Sequence, residues 1–446
     1  MDTSPLAALR AFRRDLSSCF SRRADAVLES VDAILAAEAI PSLPRLSLAP
    51  LHRRGWGSVY AALAEGRLDA ERVRAAVAAH PLEGGQPIYA VDVSVWPRCD
   101  AEASPERGYS DHPSRHSAGQ PIVAGWAYQW VAPLSFERDS WTAPVDAQRV
   151  RPTENANAVA VQQITALAQR RSASDDVPLF VFDGGYDSAQ LTQGLTEMPV
   201  AILVRLRSDR CFDADPPPAV PSPKGGRPRG HGAKFNRKDP TTWPLPTAEH
   251  VTEDAQYGTV QAQAWSGLHP KQQAHAIRGT RRPRPIVRGT LIRVEVARLP
   301  GRSDKPEVLR LWWAGSGAPD LDTLWRAYVR RFDLEHTLRF LKQSRGWTTP
   351  RVRHPAQADR WTWLVVAAYT QLRLVRPLVA DRRLPWERPL PQTKLTPSRV
   401  RRTVSAALLS TGTPATAPKP CGRSPGRPNG SCSGRAPRYP AVKKVA

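Results

Sequence analysis

The chain has 446 residues, enough for two or three domains with cores of their own. Its 64 Lys+Arg against 41 Asp+Glu give a formal charge of +23, which points to a polyanionic partner such as nucleic acid rather than to solubility alone. Five cysteines (Cys19, Cys99, Cys211, Cys421 and Cys432) form no CxxC pair and are odd in number, which argues against a zinc module and a disulfide framework.

The opening stretch MDTSPLAALRAFRRDLSSCF carries charges and no long apolar run, so it does not read as a secretory signal. Residues 1–82 are expected to form a helical N-terminal domain. ALRAFRRDL, ADAVLESVDAILAAEAI and DAERVRAAVAAH all space their apolar residues for a helix. Its role is either DNA contact or helix packing.

PIYAVDVSVWP (87–97) is β-branched, apolar at nearly every position and closed by proline, the pattern of a buried strand. PIVAGWAYQWVAPLSF adds one or two strands, and TENANAVAVQQITALAQRR reads as a helix with Thr153 as its N-cap. VPLFVFDGG is a second buried strand ending in glycines; the helix SAQLTQGLTEM and the strand VAILVRLR follow.

Residues 208–317 break this alternation. A basic loop, PPPAVPSPKGGRPRGHGAK, precedes the strand-like QYGTVQAQAW, LIRVEVARL and EVLRLWWAG, so a β-rich insertion is expected. One helix is expected over 327–347 and another over ADRWTWLVVAAYTQLRLVRPLV. The apolar run of the second is interrupted by Arg373 and is shorter than the ~20 residues of a membrane span. Residues 383–446 form a basic tail rich in proline, glycine and arginine; its final 31 residues, from Thr416 onward, carry no acid and are expected to be disordered. The order of elements defines an α/β protein with a mixed sheet.

Three carboxylates interrupt apolar surroundings. Asp92 lies in the middle of a buried strand, where a lone charge costs several kcal/mol, so it must pair with a base such as Arg98, take up a proton or bind a cation. Asp183 ends VPLFVF, the place where open α/β sheets put ligands. A turn or helix-cap role is the alternative, and Asp187 suits that role better. Glu335 sits on the 327–347 helix. At about 100° per residue, Tyr328, Arg331, Glu335 and Lys342 fall near 0, 300, 340 and 320°, one arc of about 60°.

Leu334, Leu338 and Leu341 flank that arc on one side, and Val329, Phe332 and Phe340 on the other. Arg330, Asp333 and Thr337 are expected to form the solvent face. An intrahelical Arg331–Glu335 pair is one explanation of the strip. The other is that Asp92, Asp183 and Glu335 together hold two hard divalent cations for phosphoryl transfer, with the basic residues gripping the phosphate.

The Tyr-x2-Arg-x3-Glu-x6-Lys spacing resembles the YREK signature of the DDE transposases of bacterial insertion sequences. DGGYD and VRLRSDR resemble the segments around and after that family's second aspartate. The resemblance covers roughly residues 85–380. It implies a ribonuclease H-like catalytic core over 85–207 and 318–382, interrupted by the β-rich insertion. It implies Asp92, Asp183 and Glu335 as catalytic ligands of two Mg²⁺ ions, with Mn²⁺ as a substitute. Tyr328, Arg331 and Lys342 would contact transposon-end DNA, with Arg205 and Arg207 on the backbone.

Trp312 or Trp313 would brace a flipped base or, as adjacent core residues, pack inside. KGGRPRG (224–230) and SPGRPNG (424–430) resemble minor-groove hooks but are short enough to be linkers. His116 and His336 carry no expected role. The function implied is cleavage of double-stranded DNA at transposon ends and strand transfer into target DNA, by a homodimer in the bacterial cytoplasm with no membrane partner. A nuclease or resolvase of the same fold, and a decayed copy that only binds DNA, are the alternatives.

Overall fold

In the computed structural model, residues 4–82, 87–111, 121–136, 141–171, 176–207, 211–216, 218, 231–270, 275–277, 280–282, 286–300, 306–420, 426, 428–432 and 434–443 are described. The KGGRPRG loop, His116 and residues 424, 425 and 427 of SPGRPNG fall outside them. The principal elements begin with helices α1 (Pro5–Ser18), α2 (Ala24–Ala36), α3 (Trp56–Glu65) and α4 (Ala70–Ala78). Strands β1 (Ile88–Pro97), β2 (Gly108–Asp111), β3 (Ile122–Pro133) and β4 (Asp146–Val150) follow. Then come α5 (Ala156–Arg170), β5 (Leu179–Phe182), α6 (Ser188–Gly194) and β6 (Ala201–Arg205). Strands β7 (Ala248–Asp254), β8 (Gly258–Pro270), β9 (Gly289–Val296) and β10 (Glu307–Ala314) make up the expected insertion. Helices α7 (Leu321–Arg330), α8 (Phe332–Gln343), α9 (Pro355–Val375), α10 (Pro397–Arg401) and α11 (Val404–Thr411) complete the series.

The chain divides into two compact units. The first contains residues 1–85, 93–155 and 333–446. Fifteen of the 21 residues of α9 are buried, which makes it a core helix apolar on most sides. No helix among the described residues is long and apolar enough to cross a membrane. The N-terminal helices pack on α9 rather than forming a body of their own, and buried charges lock them to it. Arg13 donates to Asp32 at 2.6 and 3.0 Å and to Gln371 of α9 at 2.6 Å, and Thr413 adds a hydrogen bond to Asp32 at 3.1 Å. Arg345, just past α8, donates to the Ala37 carbonyl at 3.0 Å and to that of Ile34, satisfying the carboxyl end of α2. In the same unit β3 pairs antiparallel with β2 and with β4.

Residues 383–415, the first part of the basic tail, are folded. Val400, Val404 and Leu408 recur every four residues and are buried, as is Leu395, so an apolar stripe survives within a basic composition. The preceding loop is braced by Glu387, whose carboxylate accepts from the Leu384 N–H at 2.7 Å and from Arg402 at 2.8 Å. Those two bonds, Arg402 first, hold its pKa at about 2 against an ordinary 4.5. Because the folded-state pKa is the lower one, the contribution is complete above pH 4.5 and is lost as pH falls toward 2. Hydrogen-exchange protection of the Leu384 amide is therefore expected to fall over that window.

The second unit contains residues 86–92 and 156–332. Its sheet is mixed. Residues Ile88–Val91 of β1 run parallel to β5, and β5 runs parallel to β6. From β6 outward the pairing turns antiparallel, through β10, β9, β8 and β7. The expected β-rich insertion is thus hydrogen-bonded directly to the parallel strands of this unit. Trp312 lies in that core, fully buried, stacked on Phe212 with centroids 5.4 Å apart and bonded to Thr192 at 3.0 Å. Trp313 is 8% exposed. Both tryptophans are core residues in this arrangement.

The helix expected over 327–347 is two helices. It breaks at Arg331, whose N–H is shared between the carbonyls of Ala327 and Tyr328 at 3.1 and 3.2 Å. Phe332 is 44% exposed, and Thr337 is buried and bonded to Thr142 at 2.8 Å, so each lies opposite to its expected environment.

Candidate active site

In the second unit the register sets two acids side by side. Val91 of β1 is the cross-strand partner of Phe182 of β5, and Asp92 and Asp183 are the next residue on each strand. Parallel neighbours lie about 4.8 Å apart, so the two acids are neighbours just past the last parallel pair, Asp183 following the end of β5 and Asp92 lying in the middle of β1. The apolar runs YAV and LFVF before them are buried and favour this register; at Asp92 and Val93 the burial of β1 is only interrupted, and it resumes at Ser94.

Asp183 is fixed by its own turn, where its Oδ1 accepts from the Gly185 N–H at 2.9 Å. A side chain at Gly185 would meet that oxygen at 3.0 Å, so glycine keeps the carboxylate uncrowded. Asp187 is a helix cap, accepting from the Ala189 and Gln190 N–H groups at 3.0 and 3.1 Å at the start of α6. Asp187→Ala is expected to cost about 1 kcal/mol of stability, measured by urea unfolding, and to leave DNA cleavage intact. Asp183→Ala is expected to do the reverse.

Asp92 pairs with Arg331 at 3.5 Å, and Arg331 is 4% exposed. Arg98, the partner considered from sequence, instead donates to the Pro350 carbonyl at 3.3 Å. The Arg331 guanidinium also lies 5.8 Å from the Tyr328 ring centroid and 4.9 Å from that of Phe332. Tyr328 is 4% exposed. Burial raises the pKa of that phenol, and the charges of Arg205 and Arg331 oppose the rise. Two of the residues expected to grip DNA are therefore internal to the site.

The other two of that set in this unit, Arg205 and Arg207, are exposed at the end of β6. Arg207 donates to the Gly184 carbonyl at 2.6 Å, and the buried Arg237 donates to the Arg207 carbonyl. Basic side chains thus flank the Asp183 turn. Glu335 and Lys342 lie on α8 in the first unit, both half-buried, with the Lys342 ammonium 5.6 Å from the Trp347 ring centroid.

Tyr186 escaped the sequence reading. It is 8% exposed, and its phenol pKa is driven well above the usual value, first by burial and then by the negative charges of Asp92 and Asp183. It therefore remains a neutral hydroxyl beside both acids. The signal was its place in DGGYD, three residues after Asp183.

Two carboxylates on adjacent strands repel each other unless positive charge lies between them, and Arg331 supplies one such charge. Hard oxygen donors of this kind suit Mg²⁺, which keeps most of its waters and takes one or two carboxylates. Among the described residues no group of three or more His, Cys, Asp or Glu forms a metal cage on its own. The donor chemistry thus fits a water-retaining divalent ion, with Asp92 and Asp183 as its protein ligands.

A mixed α/β protein with two acids just past the parallel pairing of adjacent strands, a buried arginine against one and basic side chains beside the other has the layout of a phosphoryl-transfer site. The family model for the DDE superfamily endonucleases matches residues 15–271, more than half of the chain, and the protein belongs to that family. The mixed sheet with its helices is consistent with a ribonuclease H-like fold. The match begins within α1 rather than near residue 85, so the N-terminal helices belong to the family span; Asp92 and Asp183 fall inside it and Glu335 beyond it. No curated protein matches the chain.

Proposed function

We propose that this chain is a DNA transposase of the YREK-signature group, cleaving double-stranded DNA at the ends of its element and transferring the freed 3′ ends into target DNA. The observation that supports this reading most is the adjacency of Asp92 and Asp183 one step beyond the Val91–Phe182 pair. Asp92, Asp183 and Glu335 are the proposed ligands of two Mg²⁺ ions, with Mn²⁺ able to replace them. When bound, such ions supply activation of the attacking oxygen and charge neutralisation at the scissile phosphate.

The chain's own residues do the positioning. Arg331 balances Asp92, four residues before Glu335, the third acid of the proposed set. Tyr186, kept neutral, offers a hydroxyl and not a further negative charge beside the acids. Arg205 and Arg207 hold backbone phosphates by the Asp183 turn, while Lys342 contacts the transposon end; the buried Tyr328, expected to join it, instead packs against the Arg331 guanidinium. Synapsis of two ends calls for a homodimer.

Two measurements test this reading. The DNA flanking the gene is expected to carry terminal inverted repeats and a short target duplication. Purified protein, incubated with those ends, a target plasmid and Mg²⁺, is expected to give covalently joined products. Cleavage without joining would identify a nuclease or resolvase, and binding without cleavage a copy that has lost its chemistry. Either result overturns the transposase assignment.

A further inference from the structure

Two acids turn a proline- and arginine-rich stretch of the first unit, Ala380–Pro391, into a fixed loop. Asp381 closes its neck, accepting from the Leu390 N–H at 2.9 Å and from Arg399 at 2.7 Å. Glu387 closes its tip, accepting from the Leu384 N–H and from Arg402, while Arg383 donates to the Glu387 carbonyl at 3.1 Å. This brace presents an indole to solvent: Trp386 is 79% exposed, with Leu384 at 37% beside it.

A single exposed apolar residue is ordinary on a protein surface and by itself means nothing. Here the setting differs in two respects. The turn that carries Trp386 is pinned by charged contacts at both neck and tip, so the indole is held in place at a cost in chain entropy. Its surroundings also have one sign. Both acids of the loop are already matched by Arg399 and Arg402, which leaves the exposed Arg382, Arg383 and Arg388 to set the outward charge.

An apolar tip within a ring of guanidinium groups is complementary to nucleic acid, whose bases are apolar faces between rows of phosphates. It is poorly matched to a second copy of a chain that itself carries +23. We propose that the Leu384–Trp386 tip is a DNA wedge. The indole stacks on a base at a distorted or unpaired step, and Arg382, Arg383 and Arg388 engage the flanking phosphates. The inference rests on the DNA-acting function above and adds to it a contact outside the acidic site.

The test uses the full-length protein and a fluorescent duplex carrying 2-aminopurine beside one unpaired step, with a fully paired duplex for comparison. Trp386→Ala is expected to weaken binding to the unpaired-step duplex by about ten-fold or more and to remove the 2-aminopurine response. Its salt dependence and Tm should stay unchanged, because neither a phosphate contact nor a core residue is lost. Trp386→Phe is expected to restore most of both signals. Arg388→Ala is expected to lower the salt slope by about one and to keep the 2-aminopurine response.

If Trp386→Ala matches wild type in affinity and in 2-aminopurine signal, the wedge is refuted while DNA binding stands. Loss of self-association in sedimentation, or of binding to anionic phospholipid vesicles, with DNA binding unaltered would refute it in favour of those partners. Failure of the wild-type protein to bind either duplex would instead sink the DNA-acting function itself, and the wedge with it.

Discussion

Asp183→Asn and Asp92→Asn are each expected to abolish Mg²⁺-dependent DNA cleavage while leaving salt-sensitive end binding in place. Groups that only orient metal ligands are worth about 10- to 100-fold, so loss of a ligand itself is expected to exceed about 100-fold. Asparagine keeps the volume and the Gly185 N–H contact that Asp183 makes at 2.9 Å, so the turn survives and only the charge is removed. Glu335→Ala is expected to behave in the same way. Cleavage assays at saturating Mg²⁺, run beside filter binding across a salt series, separate the chemistry from the electrostatic affinity. Wild-type cleavage by Glu335→Ala would remove that residue from the ligand set and leave the aspartate pair standing. Wild-type cleavage by Asp92→Asn would remove the site altogether.

The largest stability effect is expected away from the acids, at Arg13. Its side chain is 2% exposed and meets two acceptors, Asp32 and Gln371. Breaking a buried ion pair from one side strands the other charge, at about 3–5 kcal/mol. Arg13→Ala is therefore expected to lower the unfolding free energy by that amount in urea titrations. Removing both charges with apolar residues of similar size avoids the stranded carboxylate, so Arg13→Met with Asp32→Leu is expected to recover most of the loss. A loss below about 1 kcal/mol for Arg13→Ala, the range of exposed pairs, would mean that water reaches Asp32 and that the N-terminal helices are not locked to α9 by this contact.

The two aspartates were legible because a charged residue in a run such as YAVDVSVW or VPLFVFDGG conflicts with burial, and the conflict is visible one residue at a time. Glu335 was legible differently, through a spacing shared with a known signature. The single helix expected over that spacing is two consecutive helices that meet at Arg331. Nothing between Ala327 and Trp347 signals a break before Gly346, since neither glycine nor proline interrupts it. The break occurs where Arg331 turns inward to Asp92, a partner 239 positions away. Composition likewise hid the folded segment after residue 383, where prolines and arginines outnumber the few leucines and valines that anchor it.

The sequence by itself determined the class of the protein: a basic, mixed α/β chain with one acid within a buried strand and another at the end of a second, and a basic, acid-bearing helical segment after a β-rich stretch. Those properties follow from local hydrophobic period and from the cost of burying charge, both written in neighbouring residues. Only the tertiary structure decided that Arg331 rather than Arg98 pairs with Asp92, that Tyr186 stands beside both acids, and that the N-terminal helices are tied to α9 through Arg13. Each of those outcomes is a competition among residues far apart in the chain. Periodicity names the competitors, and burial and register select which of them meet.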